Sequence, residues 1–448
     1  MVEAEGVYAM GRSDLRTLAA EVLRPLAEKG EPGRVNRPLV AELGQRGLLE
    51  RLFTYGAVEL CEVREALAYG CTEAETAFAL QGLGAYPVHG YGSSGQRERW
   101  LPGVRAGRVV AAFALSEAGA GSDAAALGLR AVPDGGGGGG AGVGGRGGGG
   151  AGVGGAAGAD AGAGVGGGGG RGWRLVGEKC WISNAPEADF YTVFARTGEA
   201  GARGITAFLV PADRPGLSGE PLDMLSPHPI GALTFDGVPV GPEDVIGETG
   251  RGFRVAMGTL NRFRPSVGAF AVGMAQAALD ATLDWTSQRD AFGGKLRDLQ
   301  AVSHQVAEMA VRVEAARLMV RAAASAYDAG GADVPRRVAM GKLFATEAAQ
   351  YVVDRAVQLH GARALQRGHL LEHLYREVRA PRIYEGASEV QRGIVARELY
   401  AERDGLRGSG NRPRGGRSRI CCRRSPRTCE TYGTPRARRK PGSRGPGD

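Results

Sequence analysis

The 448 residues predict an α+β fold in three successive parts: an N-terminal helical domain, a central antiparallel β-domain and a C-terminal set of long bundled helices. Three observations predict it. Apolar residues recur at helical spacing over residues 1–110, short β-branched and aromatic runs separated by turn residues fill 111–245, and long helical stripes return over 246–400. A chain of this length exceeds one hydrophobic core, so two or three packed units with about 400 ordered residues are expected.

In the first part Leu39, Leu43 and Leu48, then Val63, Leu67 and Tyr69, mark helices punctuated by Gly and Pro. In the second, strands are expected at 109–115, 173–176, 190–194, 205–210 and 233–235, between Pro, Gly, Asp and Asn turns. Residues 134–172 are almost pure Gly and Ala, with too little apolar surface to offset backbone entropy, and read as a floppy insertion. It interrupts a hairpin between Arg130-Ala131-Val132 and Trp173-Arg174-Leu175-Val176. A folded domain tolerates this, because each doubling of loop length costs only about 0.6 kcal/mol. In the third part Val302, Val306, Met309, Val313, Ala316 and Val320 alternate steps of four and three. Val267, Phe270, Met274 and Leu279 begin a second such helix, and Phe344, Ala348, Tyr351 and Ala356 a third. Residues 401–448, rich in Arg, Gly, Pro and Ser, read as a disordered basic tail.

Composition narrows the function. No window approaches 18 uninterrupted apolar residues, which argues against a membrane span, and residues 1–16 carry charges and lack the apolar stretch of a secretory leader, so the chain reads as cytoplasmic. The six cysteines follow no metal-ligand spacing and read as reduced thiols. The net charge of +8 comes from the tail, so it says little about the body of the protein. A tail that engages nucleic acid is the alternative reading, although only one aromatic, Tyr432, lies in its Arg-rich run.

Four polar clusters stand out. Leu115-Ser116-Glu117-Ala118-Gly119-Ala120-Gly121-Ser122-Asp123 has the small residues that let backbone approach a flat ligand; it also reads as a plain Gly-rich turn. Lys179-Cys180-Trp181-Ile182-Ser183-Asn184-Ala185 sets a Trp in a strand, as core or as the wall of a site. Arg289-Asp290-Ala291-Phe292-Gly293, with Gln300 behind it, lies at a break between helices and is either a surface arginine with a capping glycine or an anion fork. Arg382-Ile383-Tyr384-Glu385-Gly386-Ala387-Ser388-Glu389 carries glutamates that, taken alone, read as solvated.

Read in order, these clusters resemble the acyl-CoA dehydrogenase flavoproteins over residues 15–400. The resemblance implies that the C-terminal helices form a four-helix bundle and that the cofactor is FAD. It also implies FAD contacts at Leu115, Ser116, Ser122, Trp181 and Ser183, and, from a neighbouring subunit, at Arg289, Phe292, Gln300, Gln358 and Gly361. Ala387 and Glu389 match FAD-contact positions near the late signature, where Glu385 matches the catalytic base. Asn261, Arg264 and Ser122 match positions that contact acyl-CoA. Some members carry the base just before the arginine matching Arg264, but here that residue is Phe263.

A thioester holds its α-proton tightly, and a carboxylate in a dry cavity has a raised pKa suited to removing it. The expected reaction is α,β-dehydrogenation of an acyl-CoA to the 2-enoyl-CoA, by a homotetramer or homodimer that passes electrons to an electron-transferring flavoprotein. An acyl-CoA oxidase is the alternative enzyme. Ala387 and Glu389 stand where relatives have Thr and Gln, which puts the local FAD geometry, and a catalytically idle paralogue, in question. Phe53, Phe78, Leu80 and Leu83 read as core or as an acyl pocket, and chain length is not legible.

Overall fold

The computed structural model describes residues 10–134 and 172–405. The Gly-rich insertion and the basic tail expected from sequence lie outside these, apart from their first and last few residues. Residues up to 401 form one compact unit.

The N-terminal helices include α1 (Arg12–Leu18), α2 (Arg24–Ala27), α3 (Arg37–Gln45), α4 (Leu48–Thr54), α5 (Ala57–Gly70), α6 (Thr72–Tyr91) and α7 (Ser94–Arg105). α3 starts at an asparagine cap, Asn36, whose side chain accepts from the Leu39 amide at 3.0 Å. α6 is apolar on all sides because the other helices and the sheet enclose it. A Cβ at Gly84 would stand 2.6 Å from the backbone of Ala111 and Ala112, so glycine there lets α6 lie directly on the first strand.

The central strands are β1 (Ala111–Ala114), β2 (Arg130–Pro133), β3 (Trp173–Ser183), β4 (Phe190–Arg196), β5 (Ile205–Pro211), β6 (Leu217–Pro221), β7 (Ile230–Val240) and β8 (Val245–Ile246). They run in the order β6-β7-β3-β2-β4-β5-β8, with β1 on β4. The pairing is mostly antiparallel; β1 and β2 each meet β4 in parallel. The expected hairpin is present: Pro133 pairs with Trp173, and the Asp134 amide donates to the Gly172 carbonyl at 2.8 Å, so the insertion leaves and rejoins the sheet at one point. β6 escapes the sequence pattern because it is an edge strand with almost no buried face.

The C-terminal helices are α8 (Gly252–Gln288), α9 (Gln300–Asp328), α10 (Val334–His360), α11 (Leu370–Glu377) and α12 (Ser388–Arg403), with a small hairpin of β9 (Asp290–Ala291) and β10 (Gly294–Lys295) after α8. α8 begins fifteen residues before the apolar stripe at Val267, and Pro265 inside it masks the continuity. By length and composition α8 alone among the described helices is able to cross a membrane, so the sequence argument from uninterrupted apolar runs does not suffice. Its apolar window is 78% buried inside the fold, which is the behaviour of a core helix. Of the expected stripe on α9, Val302, Met309, Val313, Ala316 and Val320 are buried.

The interior divides into two apolar clusters. One joins the N-terminal helices to the sheet and takes in Phe263; the other joins α5 to the long helices and begins on α8 at Ala269. Arg264 lies at the seam between them.

A buried ionic strut ties the sheet to α11. His228, in the β6–β7 loop, meets Glu377 at 2.7 Å, and the Ser226 hydroxyl donates to the same carboxylate. Burial pushes Glu377 up, but His228 reverses this and leaves it at about 2 against an ordinary 4.5. Its stabilisation is present above pH 4.5 and is lost as pH falls towards 2. Burial pushes His228 down and Glu377 more than restores it, so its stabilisation is complete below the ordinary 6.5 and is lost as pH rises through the raised value. Glu377→Gln is therefore expected to destabilise by about 3 kcal/mol. Thermal melts should separate the two proteins most between pH 4.5 and 6.5, whereas a gap indifferent to pH would show that the pair is not ionic.

Candidate active site

Between α11 and α12 the chain makes a single 3-10 turn at Ala380–Arg382 and then an open loop carrying Glu385. Glu385 has φ +50° and Gly386 φ +97°, so two consecutive residues are left-handed. A Cβ at Gly386 would stand 2.1 Å from Gln391 Nε2 and would displace that side chain, and the positive φ favours glycine.

Three successive carbonyls of this loop are held by cations. Lys342 Nζ donates to the Tyr384 and Gly386 carbonyls at 3.1 and 2.7 Å, and Arg264 Nε donates to that of Glu385 at 3.0 Å. Gln391 Nε2 adds a bond to the Gly386 carbonyl at 3.1 Å. Lys342 has 0% exposure, and burial lowers its pKa to about 8 while the Glu385 charge opposes that fall. Arg264 is half-buried, and its Nη1 donates to Asn261 Oδ1 at 3.1 Å. Arg264, read from sequence as touching substrate, thus braces the loop, and Asn261 bonds Arg264.

Glu385 Oε2 is buried and has no hydrogen-bond partner among the described residues. An acceptor left in this state costs about 1–3 kcal/mol. Burial raises the Glu385 pKa, against the pull of Arg64, Arg264 and Lys342. Phe263 is fully buried with its ring edge-on to Tyr86 at 5.8 Å, so no carboxylate occupies the alternative position.

The first two clusters are drawn together by a buried lysine. Lys179 Nζ donates to the Leu115 carbonyl at 2.9 Å and to Glu117 Oε1 at 2.8 Å, and the Cys180 amide donates to the Ser116 carbonyl at 3.0 Å. Glu117 also accepts from the amides of Gly128 and Leu129 at 2.6 and 2.9 Å. Just beyond, the register of β3 on β7 slips between Lys179 and Ile182, leaving Trp181 at φ +57° and 47% exposed. Core packing does not explain this Trp. Ser116 and Ser183 are half-buried and Ser122 is exposed. Asn184 links this strand to the β6–β7 loop: its backbone amide donates to the Pro229 carbonyl at 2.7 Å, next to His228 and its bond to Glu377.

Arg289, Phe292, Gln300, Gln358 and Gly361 gather at another place. Arg289 caps α8 at its C-terminal end, and Phe292, at φ +54° in the β9–β10 turn, is 91% exposed. Gln300 opens α9, and Gln358 and Gly361 end α10, all three exposed. Trp285 joins these ends, donating to the Leu359 carbonyl at 3.1 Å and stacking on His360 at 5.5 Å. The 25 residues of α8 from Arg264 to Arg289 span about 37 Å at the helical rise, so this patch and Glu385 stand far apart within one chain. Ala387 is half-buried beside the loop, and Glu389 is exposed and paired with Arg392 at 3.2 Å.

Sequence reading passed over Lys342, Lys179, Glu117, His228 and the buried pair Arg64 and Glu75. The signal for Lys342 was present: it follows Val338 by four and precedes Ala345 by three, placing a lysine on an apolar stripe.

The donors fit FAD. A half-exposed indole held out of the sheet, hydroxyls on a small-residue loop and an exposed arginine fork at a helix end match a flat ring system with a charged pyrophosphate. Comparison with known proteins agrees. Sequence models of the N-terminal, middle and C-terminal domains of acyl-CoA dehydrogenases match residues 8–108, 156–238 and 250–400. A probable acyl-CoA dehydrogenase of Mycobacterium tuberculosis, FadE25, is 34% identical over 400 residues, 87% of this chain and 94% of that one. The mitochondrial short-chain specific acyl-CoA dehydrogenase of Bos taurus is 32% identical over 411 residues, 89% and 91% of the two chains. A solved structure described as the FAD complex of PigA superposes with a TM-score of 0.74 at 25% identity, covering 89% of this chain and 97% of that one. Fold and site together define an oxidoreductase of the FAD-dependent dehydrogenase class. The chain belongs to the acyl-CoA dehydrogenase family, which is FAD-dependent and acts on acyl-CoA.

Proposed function

We propose that this protein converts an acyl-CoA to its 2-enoyl-CoA, with Glu385 removing the α-proton. The observation that carries the reading is the buried, unpartnered Oε2 of Glu385 on a loop clamped by Lys342 and Arg264. Bound FAD supplies the acceptor for the β-hydride. Burial keeps the carboxyl dry and its pKa raised, which narrows the gap to a weak carbon acid. The left-handed loop presents the Glu385 amide as donor to the thioester carbonyl, and Asn261 and Arg264 support the substrate from α8. Leu115, Ser116, Ser122, Trp181, Ser183 and Ala387 are assigned to the flavin of the same chain.

Arg289, Phe292, Gln300, Gln358 and Gly361 are assigned to the FAD of a second copy, since α8 sets Arg289, beside which the other four lie, about 37 Å from Arg264. A homodimer or homotetramer follows, and a monomer by sedimentation that retains FAD would remove that role. An electron-transferring flavoprotein is assigned as acceptor. The test is anaerobic mixing of the holoprotein with acyl-CoAs of graded length, beginning with the short chains for which the Bos taurus relative is named. Flavin absorbance should bleach with at least one thioester; bleaching by none would refute the reaction.

A further inference from the structure

Lys342 and Arg264 hold the middle of the Glu385 loop, at the carbonyls of Tyr384, Glu385 and Gly386. Its two shoulders meet on one carboxylate. Glu347 stands on α10 five residues after Lys342, about 7.5 Å further along the helix. Its Oε2 pairs with Arg382 Nη2 at 2.9 Å, where the 3-10 turn ends and the loop begins. Its Oε1 accepts from the Ser388 hydroxyl at 2.6 Å, where the loop ends and α12 begins. Arg392, one turn into α12, approaches the same oxygen at 3.8 Å. Ser388 is buried, so its bond is shielded from water. Burial pushes Glu347 up, but the Ser388 hydroxyl and then Arg382 more than reverse this and keep the carboxylate ionised.

The shoulders also bond within their own backbone. The Ile383 and Tyr384 amides donate to the Ala380 carbonyl at 2.8 and 3.2 Å, and the Gln391 amide donates to that of Ala387 at 3.0 Å. Such local bonds fix each end by itself, whereas a carboxylate bonded to both ends fixes one against the other. Given the dehydrogenation reading above, on which this inference rests, we infer that Glu347 is a positioning residue that clips the ends of the loop together and so keeps the Glu385 carboxyl in place. The Glu347 and Arg382 side chains are 30% and 31% exposed, and ion pairs this wet add little to folding stability. The consequence falls on the rate, because misplacing a reacting group by about 1 Å costs on the order of 10²-fold.

The experiment measures flavin bleaching of the holoprotein at saturating acyl-CoA by anaerobic stopped flow. Binding of S-butyl-CoA, a thioether that cannot be dehydrogenated, is measured beside it by calorimetry. Glu347→Gln keeps an acceptor for one shoulder and none for the other. It should slow bleaching at least about tenfold, with the S-butyl-CoA dissociation constant within about threefold of native. The midpoint of the pH–rate profile should stay where it is, because after burial Arg64, Arg264 and Lys342 set the Glu385 pKa. Ser388→Ala with Arg382→Gln frees both shoulders and leaves the carboxylate; it should reproduce the loss, and adding Glu347→Gln to it should cost less than about twofold more. Ser388→Ala alone should slow bleaching at least about threefold, and it carries the test if Glu347→Gln yields no folded protein. A Glu347→Gln rate per bound flavin less than tenfold slower, a moved midpoint, a loss matched by weaker S-butyl-CoA binding, or losses that multiply in the triple variant would overturn the inference. If no acyl-CoA bleaches the native protein, the dehydrogenation reading falls and this inference with it; native bleaching with any of the results just named overturns the clip alone.

Discussion

Glu385→Gln is expected to slow flavin bleaching by the best acyl-CoA by at least about 10³-fold while the protein still binds FAD, since positioned general bases contribute roughly 10² to 10⁴. Glutamine keeps the size of the side chain and leaves the backbone bonds from Lys342 and Arg264 in place, so the loss isolates the proton-accepting oxygen. In the native protein the bleaching rate should rise with pH through a midpoint above the ordinary 4.5 of a glutamate, because burial raises this carboxyl and only its ionised form takes a proton. Stopped-flow absorbance under anaerobic conditions measures both. A variant within tenfold of the native rate would move the base elsewhere, and Phe263 supplies no carboxylate at the alternative position.

Lys342→Met is expected to lower the same rate by about 10²-fold at neutral pH, the order of loss that misplacing a reacting group by about 1 Å produces. The lysine is a positioning residue: its ammonium bonds the carbonyls on both sides of Glu385 and holds two left-handed residues that would otherwise relax. It is also one of three cations that restrain the upward shift of Glu385, so its removal should move the midpoint of the pH–rate profile further up. A merely structural role would lower the amount of folded protein and leave that midpoint alone. A rate within threefold of native, at an unmoved midpoint, would refute the assignment.

The two variants separate what was legible in the residues from what was not. Glu385, Arg264 and Asn261 were singled out from sequence because the loop signature and the stretch around Phe263 are contiguous. Lys342 was not, although it lies on a stripe whose other members were recognisable, because a helix pattern shows which face is buried and not what it is buried against. Trp181 was open to two readings until the slip in β3 placed it outside the sheet; a bulge depends on the partner strand, which local sequence does not specify. The separation of Arg289 from Glu385 likewise appeared only once α8 proved continuous through Pro265.

By itself the sequence determined the order helical, β, helical, the family and its FAD dependence, because periodicity and contiguous motifs are properties of neighbouring residues. Tertiary structure alone decided that Glu385 Oε2 is buried without a partner, that Lys342 and Arg264 clamp its loop, and that Arg64 and Glu75 pair behind it. Those facts join residues up to 121 positions apart, from Arg264 to Glu385. Burial and charge pairing arise from which helices meet in space, and no local pattern encodes that meeting.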